Sequence, residues 1–177
     1  MCEIKQKLRR QLIQRRQDMD SGLKLAADKD IFEQVKSYLD RASRVFTYAS
    51  TSIEVDTRRI ISYCLGNNIP VALPVSGDTE MFFYYIGSEK ELTVGRYGID
   101  EPPTLSPAAA DKDTLCIVPA LCADGTGLRL GYGKGYYDRF LSGFTGISII
   151  ICYKAFKCEV PAEPHDVRAD FTIFDRL

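Results

Sequence analysis

Apolar residues in the first forty positions recur at the spacing of two amphipathic helices. Residues 3 to about 17 place Ile4, Leu8 and Leu12 four residues apart among Lys, Arg and Gln, which predicts a helix with one apolar stripe. Ser21 is a suitable N-cap for a second helix that ends near Asp40. The predicted apolar face of this second helix comprises Leu25, Ile31, Phe32, Val35 and Leu39.

Short apolar runs beyond residue 43 alternate with helical segments. Helices are predicted after Asp56, which can cap the first of them, and over 136–141, and an irregular segment over 87–112. Strands are predicted over 44–49, 70–75, 81–86, 115–118, 147–152 and 171–174, the second and third forming an antiparallel pair. This alternation indicates an α/β layered domain with a largely parallel sheet, whose ligands bind beyond the carboxyl ends of the strands.

Length and composition fit one folded domain over residues 1–177. The chain is 45% hydrophobic and 27% charged, which excludes disordered and collagen-like classes. A net charge of −1 provides no overall field for nucleic acid or an anionic membrane. Any basic function must therefore be local.

The cysteines and the N-terminus favour a reducing cytoplasm. The six cysteines lack C-x-x-C spacing, and several lie in apolar runs where a reduced thiol packs well: Cys2, Cys64, Cys116, Cys122, Cys152 and Cys158. The N-terminus has no apolar signal region, and no stretch approaches the length of a membrane span. We expect neither secretion nor membrane insertion.

Residues 127–139, GLRLGYGKGYYDR, have the composition of an anion site. Gly131, Gly133 and Gly135 allow positive φ angles and bring backbone N–H groups close to a ligand at the start of a helix. Arg129 and Lys134 add a planar fork and a mobile charge. The segment lacks the spacing of the common nucleotide fingerprints. The alternative is a flexible surface turn, although alternating Gly, Arg, Lys and Tyr is poor linker chemistry.

The N-terminal helix is strongly basic. It carries six cations against the single acid Glu3 in a chain of net charge −1: Lys5, Lys7, Arg9, Arg10, Arg15 and Arg16. Lys5 and Arg9 share one helix face, where their repulsion would become affinity if an anion bound between them. A solvated basic face is the alternative.

Four further residues are candidates for polar chemistry. Glu54 follows the first strand and can accept hydrogen bonds from a ligand, the alternative being a surface acid. Asp138 and Asp166 suit Mg²⁺ if the fold brings them together, although Asp138 could instead neutralise its own helix dipole. His165 is the single histidine, so no His-rich metal site or Ser-His triad can be assembled, and we interpret it as a loop residue.

Five runs together resemble the 5-formyltetrahydrofolate cyclo-ligase (5,10-methenyltetrahydrofolate synthetase) family. They are KQKLR at 5–9, EVDT at 54–57, GRYGIDEP at 95–102, PAL at 119–121 through RLGYGKGYYDR at 129–139, and the segment 161–170. The resemblance implies a single three-layer α/β domain of the type shared with sugar-phosphate isomerases and CoA transferases. It also implies a cytoplasmic, monomeric ligase of folate one-carbon metabolism.

The reaction implied by the resemblance is the ATP- and Mg²⁺-dependent conversion of 5-formyltetrahydrofolate to 5,10-methenyltetrahydrofolate, releasing ADP and phosphate. Phosphorylation of the formyl oxygen would give an N5-iminium phosphate, which N10 attacks. Such a transfer requires positioning and charge neutralisation more than a protein nucleophile.

The resemblance also assigns roles by position. The metal carboxylates would be Asp138 and Asp166, and the catalytic residues Arg129, Lys134 and Tyr136. ATP would contact Lys5, Gln6, Lys7, Leu8, Arg9, Arg129, Leu130, Gly131, Tyr132, Gly133, Lys134, Gly135, Tyr136 and Tyr137. The folate site would comprise Ala49, Glu54, Tyr132, Gly133, Lys134, Gly135 and Tyr136.

Two positions depart from the family pattern, and two other functions stay open. Cys122-Ala123 stands where the family often has a small residue followed by Phe, and Ala49 where other members carry a bulkier apolar residue. Because fold does not fix function, a sugar-phosphate or CoA-type enzyme is one alternative. A non-catalytic nucleotide-binding module that uses the basic helix is the other.

Overall fold

Helices and strands alternate along the chain in the structure, a computed structural model that describes residues 3–177. The helices are α1 (Glu3–Gln17), α2 (Ser21–Leu39), α3 (Arg58–Gly66) and α4 (Tyr136–Leu141). The strands are β1 (Arg44–Phe46), β2 (Val71–Ser76), β3 (Met81–Ile86), β4 (Thr93–Val94), β5 (Asp100–Glu101), β6 (Thr114–Val118), β7 (Cys122–Ala123), β8 (Arg129–Leu130), β9 (Ile147–Cys152) and β10 (Phe171–Phe174).

A six-stranded sheet of order β10-β9-β6-β1-β2-β3 forms the centre of the fold. All of its pairings are parallel except that of β2 with β3, which is antiparallel across the turn at residues 77–80. The predicted α/β class with a mostly parallel sheet flanked by helices is therefore confirmed. Parallel neighbours bring the carboxyl ends of β1, β2, β6 and β9 to one edge.

The central strands are mostly apolar and are buried along nearly their whole length, because the sheet is covered on both sides. All five residues of β6 and five of the six in β9 are buried. Phe46 of β1 stacks on Phe83 of β3 at 4.4 Å, and Phe140 of α4 lies 4.8 Å from Phe83. In the other helices, Phe32 of α2 meets Tyr63 of α3 edge to face. This packing fixes α4, and with it the preceding glycine segment (residues 131–135), on the sheet.

Several local predictions are corrected by the structure. Ile4 is 65% exposed, so the predicted stripe of α1 reaches the core only at its later positions, and Leu25 of α2 is also exposed. The cap of α2 is Asp20 rather than Ser21, since the Asp20 carboxylate accepts the N–H of Leu23. Strand β1 ends at Phe46, three residues earlier than predicted.

The N-cap of α3 is Thr57 rather than the predicted Asp56, although the Asp56 side chain still binds the start of the helix. Oδ1 of Asp56 accepts the N–H of Arg58, the first residue of α3, at 2.9 Å. The helix ends at Gly66, beside the predicted stop at residues 66–68. The side chain of Asp56 therefore stabilises the turn that follows the loop bearing Glu54.

Two small hairpins were not predicted from the pattern of apolar residues. Strands β4 and β5 form one of them within the segment 87–112, which was interpreted as irregular. Strands β7 and β8 form the other and lead directly into the glycine segment. Both consist of two-residue strands, which are too short for an alternating pattern to be recognised.

The cysteines in the described part of the chain are all free thiols, in agreement with the predicted reduced state. Burial raises the pKa of Cys64 and of Cys152 to about 12, so these thiols stay protonated and behave as small apolar groups. Cys2 lies outside the described residues. No helix in residues 3–177 combines the length and apolar character that a membrane crossing requires.

Candidate functional site

A cavity of about 610 Å³ opens at the carboxyl edge of the sheet. Its volume lies within the usual range of small-molecule sites. Its lining comes from α1, the loop after β1, the end of β2, the start of β3, the segment 96–101, Pro119 after β6, the chain from Arg129 to Asp138, and the loop at 163–166. The predicted location beyond the strand ends is therefore occupied by a single cavity that joins distant parts of the sequence.

The glycine segment forms one wall of this cavity, and its backbone explains two of its glycines. Gly133 and Gly135 have φ angles of 94° and 69°, in the left-handed region that favours glycine. A Cβ on Gly133 would lie 3.0 Å from Cζ of Arg9, whereas one on Gly131 would meet nothing within 4 Å. Arg9 also donates from Nε to the carbonyl oxygen of Gly131 at 2.8 Å. Helix α1 and the glycine segment are thus in direct contact.

The helix that follows the glycine segment is short. Helix α4 has six residues, and Gly135 precedes it as the N-cap without a side-chain hydrogen bond. Its dipole therefore contributes less than the sequence argument assumed, because a macrodipole needs several turns of aligned peptides. The backbone N–H groups of the segment and the nearby cations remain as the candidate anion-binding groups.

Arg129 is buried and holds the glycine segment to the C-terminal loop. Its Nη2 donates to Oδ1 of Asp138 at 2.9 Å, and its Nη1 donates to the carbonyl oxygen of Val167, also at 2.9 Å. The same oxygen of Asp138 accepts the N–H of Val167 at 3.1 Å. Asp138 therefore lies next to the loop that carries Asp166, and both acids line the cavity.

Lys134 and Tyr136 connect the glycine segment to the opposite rim. Lys134 is exposed, with Nζ 5.6 Å from the centre of the Tyr97 ring. The hydroxyl of Tyr136 donates to the carbonyl oxygen of Gly77 in the β2–β3 turn at 2.7 Å. A hydrogen bond with Tyr97, together with partial burial, raises the pKa of Tyr136. Tyr136 is therefore a neutral phenol at physiological pH.

Lys5 is buried in the wall of the cavity and forms ion pairs with two acidic side chains. Its Nζ lies 2.7 Å from Oε2 of Glu163 and 2.8 Å from Oδ2 of Asp166. Burial alone would lower the pKa of Lys5, but the hydrogen bonds and charges of the two acids outweigh it and raise that pKa. The predicted like-charge pair with Arg9 is thus balanced by carboxylates from the C-terminal loop.

His165 lies in that loop, as predicted, but it also lines the cavity. The side chains of Glu163, His165 and Asp166 each place one ligand atom within 4.8 Å of the others. His165 is largely exposed. The sequence offered no sign of this arrangement beyond the closeness of three polar residues along the chain.

Glu54 is a buried acid rather than a surface one. It is 6% exposed, and its Oε2 accepts hydrogen bonds from the N–H and the hydroxyl of Thr51, both at 2.8 Å. Burial, followed by the charge of Glu54 and a hydrogen bond to it, raises the pKa of Tyr132. Burial likewise raises the pKa of Tyr48 and Tyr137 well above the ordinary value. The carboxylate thus lies among neutral phenols.

The predicted site residues divide into those that reach the cavity and those that do not. Lys5 and Arg9 of α1 line it, whereas Gln6, Lys7 and Leu8 of the same helix do not. The other predicted residues that line it are Ala49, Glu54, Arg129, Leu130, Gly131, Tyr132, Gly133, Lys134, Gly135, Tyr136, Tyr137, Asp138 and Asp166.

Sequence reasoning missed many of the residues that line the cavity, including four side chains of its rim and floor. Tyr48, Arg96, Tyr97 and Glu163 all line the cavity. Tyr97 has a φ of 63°, which is uncommon for a residue with a side chain. The sequence signal for Arg96 and Tyr97 is the run at 95–102, which resembles the family pattern.

Comparison with known proteins identifies the family of the chain. The model of the 5-formyltetrahydrofolate cyclo-ligase family matches residues 1–174. The chain belongs to this family. It is a family of ligases, and the resemblance noted in the sequence is thereby confirmed.

Individual relatives of the family differ in how much of their length is matched. The chain is 37% identical to the 5-formyltetrahydrofolate cyclo-ligase of Mycolicibacterium smegmatis. The matched region covers 43% of this chain and 42% of that relative. It is 28% identical to the enzyme of that name from Mycoplasma pneumoniae over 97% of this chain and 98% of the relative. The solved structure of Aquifex aeolicus 5,10-methenyltetrahydrofolate synthetase superimposes with a TM-score of 0.86 and 25% identity, covering 98% of this chain and 91% of that one.

Proposed function

We propose that this cyclo-ligase family member converts 5-formyltetrahydrofolate to 5,10-methenyltetrahydrofolate with ATP and Mg²⁺, releasing ADP and phosphate. One observation carries the proposal. A single cavity joins the glycine segment to the buried carboxylate of Glu54. The glycine segment would bind an anion, and Glu54 would bind a ligand with several N–H donors. A reaction between a nucleotide and a pterin needs these two environments side by side.

The ATP phosphates would lie against residues 131–135. The backbone N–H groups of this segment, the guanidinium of Arg9 and the ammonium of Lys134 would neutralise the transferred charge. Arg129 already donates to Asp138 and Val167, so its main contribution would be to fix the segment while adding positive potential. Of the predicted residues in α1, the proposal retains Lys5 and Arg9, which line the cavity.

The pterin would lie toward Glu54. This carboxylate would accept hydrogen bonds from the amino group and ring N–H of the pterin, with Ala49 forming part of the wall. The phenol of Tyr132 contacts Glu54 and would help to fix its orientation. Tyr136, on the same segment as the phosphate-binding groups, would be close to the formyl end of the folate. Both substrates would therefore meet along one short loop.

The proposed reaction has two displacement steps. The formyl oxygen attacks the γ-phosphorus of ATP and ADP departs, which leaves an N5-iminium phosphate. N10 then attacks the formyl carbon, the C–O bond breaks with release of phosphate, and the N10 proton passes to solvent. The protein positions the reacting atoms and excludes water, so no side chain needs to act as a nucleophile.

The chemistry of the available side chains fits a bound Mg²⁺. Asp138 uses Oδ1 for its bonds to Arg129 and Val167, and Asp166 uses Oδ2 for those to Lys5 and Glu163. One oxygen of each carboxylate is thus committed, which leaves the other to serve as a ligand alongside phosphate oxygens and water. Magnesium would supply charge neutralisation for the phosphate groups.

The alternatives raised by the sequence receive less support. A CoA transferase would require an exposed nucleophilic glutamate, whereas Glu54 is buried and hydrogen-bonded to Thr51. A non-catalytic nucleotide-binding module would use the cations of the basic helix, but two of these, Lys5 and Arg16, are each only 3% exposed and bind groups of the protein itself. The predicted cytoplasmic location and monomeric state remain part of the proposal.

The test is a direct assay of the purified protein. With ATP, Mg²⁺ and 5-formyltetrahydrofolate, the near-ultraviolet absorbance of the methenyl product should rise together with ADP. Omission of any one component should abolish the rise. If the folded protein binds both substrates and yields no methenyl product, the proposed activity is wrong.

A further inference from the structure

We propose that Arg16 is a positioning residue for the folate half of the site, an inference that rests on the proposed function. Arg16 lies in the last turn of α1 and does not line the cavity, and its side chain is 3% exposed. It would act by fixing the backbone that carries Glu54 and the backbone that follows β6.

The guanidinium of Arg16 joins two loops behind the cavity wall. Its Nη1 donates to the carbonyl oxygen of Ile53 at 2.9 Å, next to Glu54. Its Nη2 donates to the carbonyl oxygens of Ala120 and Leu121 at 2.8 Å and 2.9 Å, and Nε donates to Leu121 as well. One planar fork therefore sets the spacing between the loop after β1 and the loop after β6.

Arg16 works beside a second buried donor. Tyr153, directly after β9, places its hydroxyl 2.8 Å from the carbonyl oxygen of Glu54 and 2.7 Å from Oδ1 of Asp28, so both acceptors share its proton. The Arg16 guanidinium lies over the Tyr153 ring at 5.2 Å and over Phe156 at 4.6 Å. Two successive carbonyls, those of Ile53 and Glu54, are thus held from behind by two side chains that pack on each other. This arrangement aims the Glu54 carboxylate without touching its oxygens.

The hydrogen bonds of Arg16 suit this role better than general stabilisation. Those that it donates go to backbone carbonyls and to the Cys152 sulfur. A buried cation held by carbonyl dipoles is costly in desolvation, and hydrophobic residues of similar size often replace buried charges without loss of stability. The planar fork has five donors in fixed directions, which a hydrophobic side chain cannot reproduce.

Arg15 provides a matched control. It neighbours Arg16 in the same helix, lies over the same Phe156 ring at 5.1 Å, and donates to the carbonyl oxygen of Ala155. Its side chain is exposed and does not contact either loop of the site. Arg15→Met therefore removes one cation and one ring contact while leaving the loops at Ile53 and Leu121 unchanged.

The test compares the KM for 5-formyltetrahydrofolate with the KM for ATP. Arg16→Met should raise the folate KM by about tenfold, since a few charge-assisted hydrogen bonds are lost, while the ATP KM changes by less than about twofold. Arg16→Lys, which keeps the charge but loses the fork, should give an intermediate folate KM. Arg15→Met should leave both values unchanged. An unchanged folate KM, or a parallel rise of both KM values in Arg16→Met, would overturn the proposal.

If Arg16→Met does not fold, Tyr153→Phe provides a second test. This variant removes the hydroxyl that lies between the Glu54 carbonyl and Asp28 and should also raise the folate KM selectively. Equal effects on both substrates would again contradict the proposal. If the wild type shows no turnover, the proposed function fails, and equilibrium binding of 5-formyltetrahydrofolate and ATP replaces the KM values. Absence of folate binding by the wild type would overturn the positioning role as well.

Discussion

Arg129 Nη2 and Asp138 Oδ1 form an ion pair at 2.9 Å. The pair joins β8, which precedes the glycine segment, to α4, which follows it. The side chain of Arg129 is 5% exposed in this pair. Because the same Asp138 oxygen accepts the N–H of Val167, three parts of the chain meet at one carboxylate. Asp138 therefore has a structural partner in addition to its proposed role at Mg²⁺, and its substitution should report on both.

Asp138→Asn should raise the Mg²⁺ concentration needed for half-maximal activity by about tenfold or more. The amide oxygen can still accept the N–H of Val167, but it lacks the charge that binds the metal and Arg129. Titration of the reaction rate with Mg²⁺ measures this directly. Glu159→Gln, at an exposed position away from the cavity, is the control. An unchanged Mg²⁺ dependence in Asp138→Asn would remove Asp138 from the metal site.

Lys134→Ala should lower kcat by about a hundredfold, the usual cost of removing one group that stabilises transferred charge. The melting temperature should stay within measurement error because Lys134 is exposed. Lys157→Ala is a close control: Lys157 is also exposed and lies 5.3 Å from an aromatic ring, that of Phe174, outside the cavity. If both variants lose the same amount of activity, Lys134 has no specific role.

Gly133→Ala should destabilise the fold by about 1–2 kcal/mol because alanine is strained at positive φ. The added methyl group would also press on Arg9. Gly131→Ala, in open space two residues earlier, should change the free energy of unfolding by less than about 0.5 kcal/mol. Urea denaturation of the two variants measures this difference. Equal stabilities would show that the left-handed conformation at Gly133 is not required.

Acid sensitivity should depend on Asp30. Arg176 donates from Nε to Oδ1 of Asp30 at 3.0 Å and from its backbone N to Oδ2 at 2.9 Å. The hydrogen bond from the Arg176 side chain is the main reason why the pKa of Asp30 lies below the ordinary value of an aspartate. A lowered folded-state pKa gives stability that is present above the unfolded pKa and is lost as pH falls through the folded value.

Asp30→Asn should therefore lose stability at neutral pH and show a smaller further loss as pH falls below 3.8 than the wild type. Thermal unfolding between neutral pH and about pH 3 measures the two slopes. Asp113→Asn, at an exposed position, is the control. Parallel pH dependences of Asp30→Asn and the wild type would rule out this linkage.

The strands and helix nearest the site could be predicted closely from the sequence. The limits of α4, β9 and β10 match the predicted 136–141, 147–152 and 171–174. Strand β9 is an unbroken run of Ile, Ser and Cys, and α4 begins directly after Gly135, so local signals were enough. These elements carry their information within a few residues.

The burial of cations in α1 could not be predicted in this way. Lys5 pairs with Glu163 and Asp166, which lie 158 and 161 positions away in the sequence. Arg16 binds carbonyls that any residue type would provide. The local pattern therefore predicted that both cations lie on a basic surface or bind an anion, and it included Ile4 in the apolar stripe of α1. Contacts between the chain ends decided the outcome.

The fate of the formyl oxygen tests the central claim most directly. When 5-formyltetrahydrofolate labelled with ¹⁸O in the formyl group is converted in unlabelled water, mass spectrometry should find one labelled oxygen in each released phosphate. This transfer is expected because the formyl oxygen attacks the γ-phosphorus and later departs as one oxygen of the released phosphate. Phosphate without label, formed together with the methenyl product, would contradict the proposed phosphorylated intermediate.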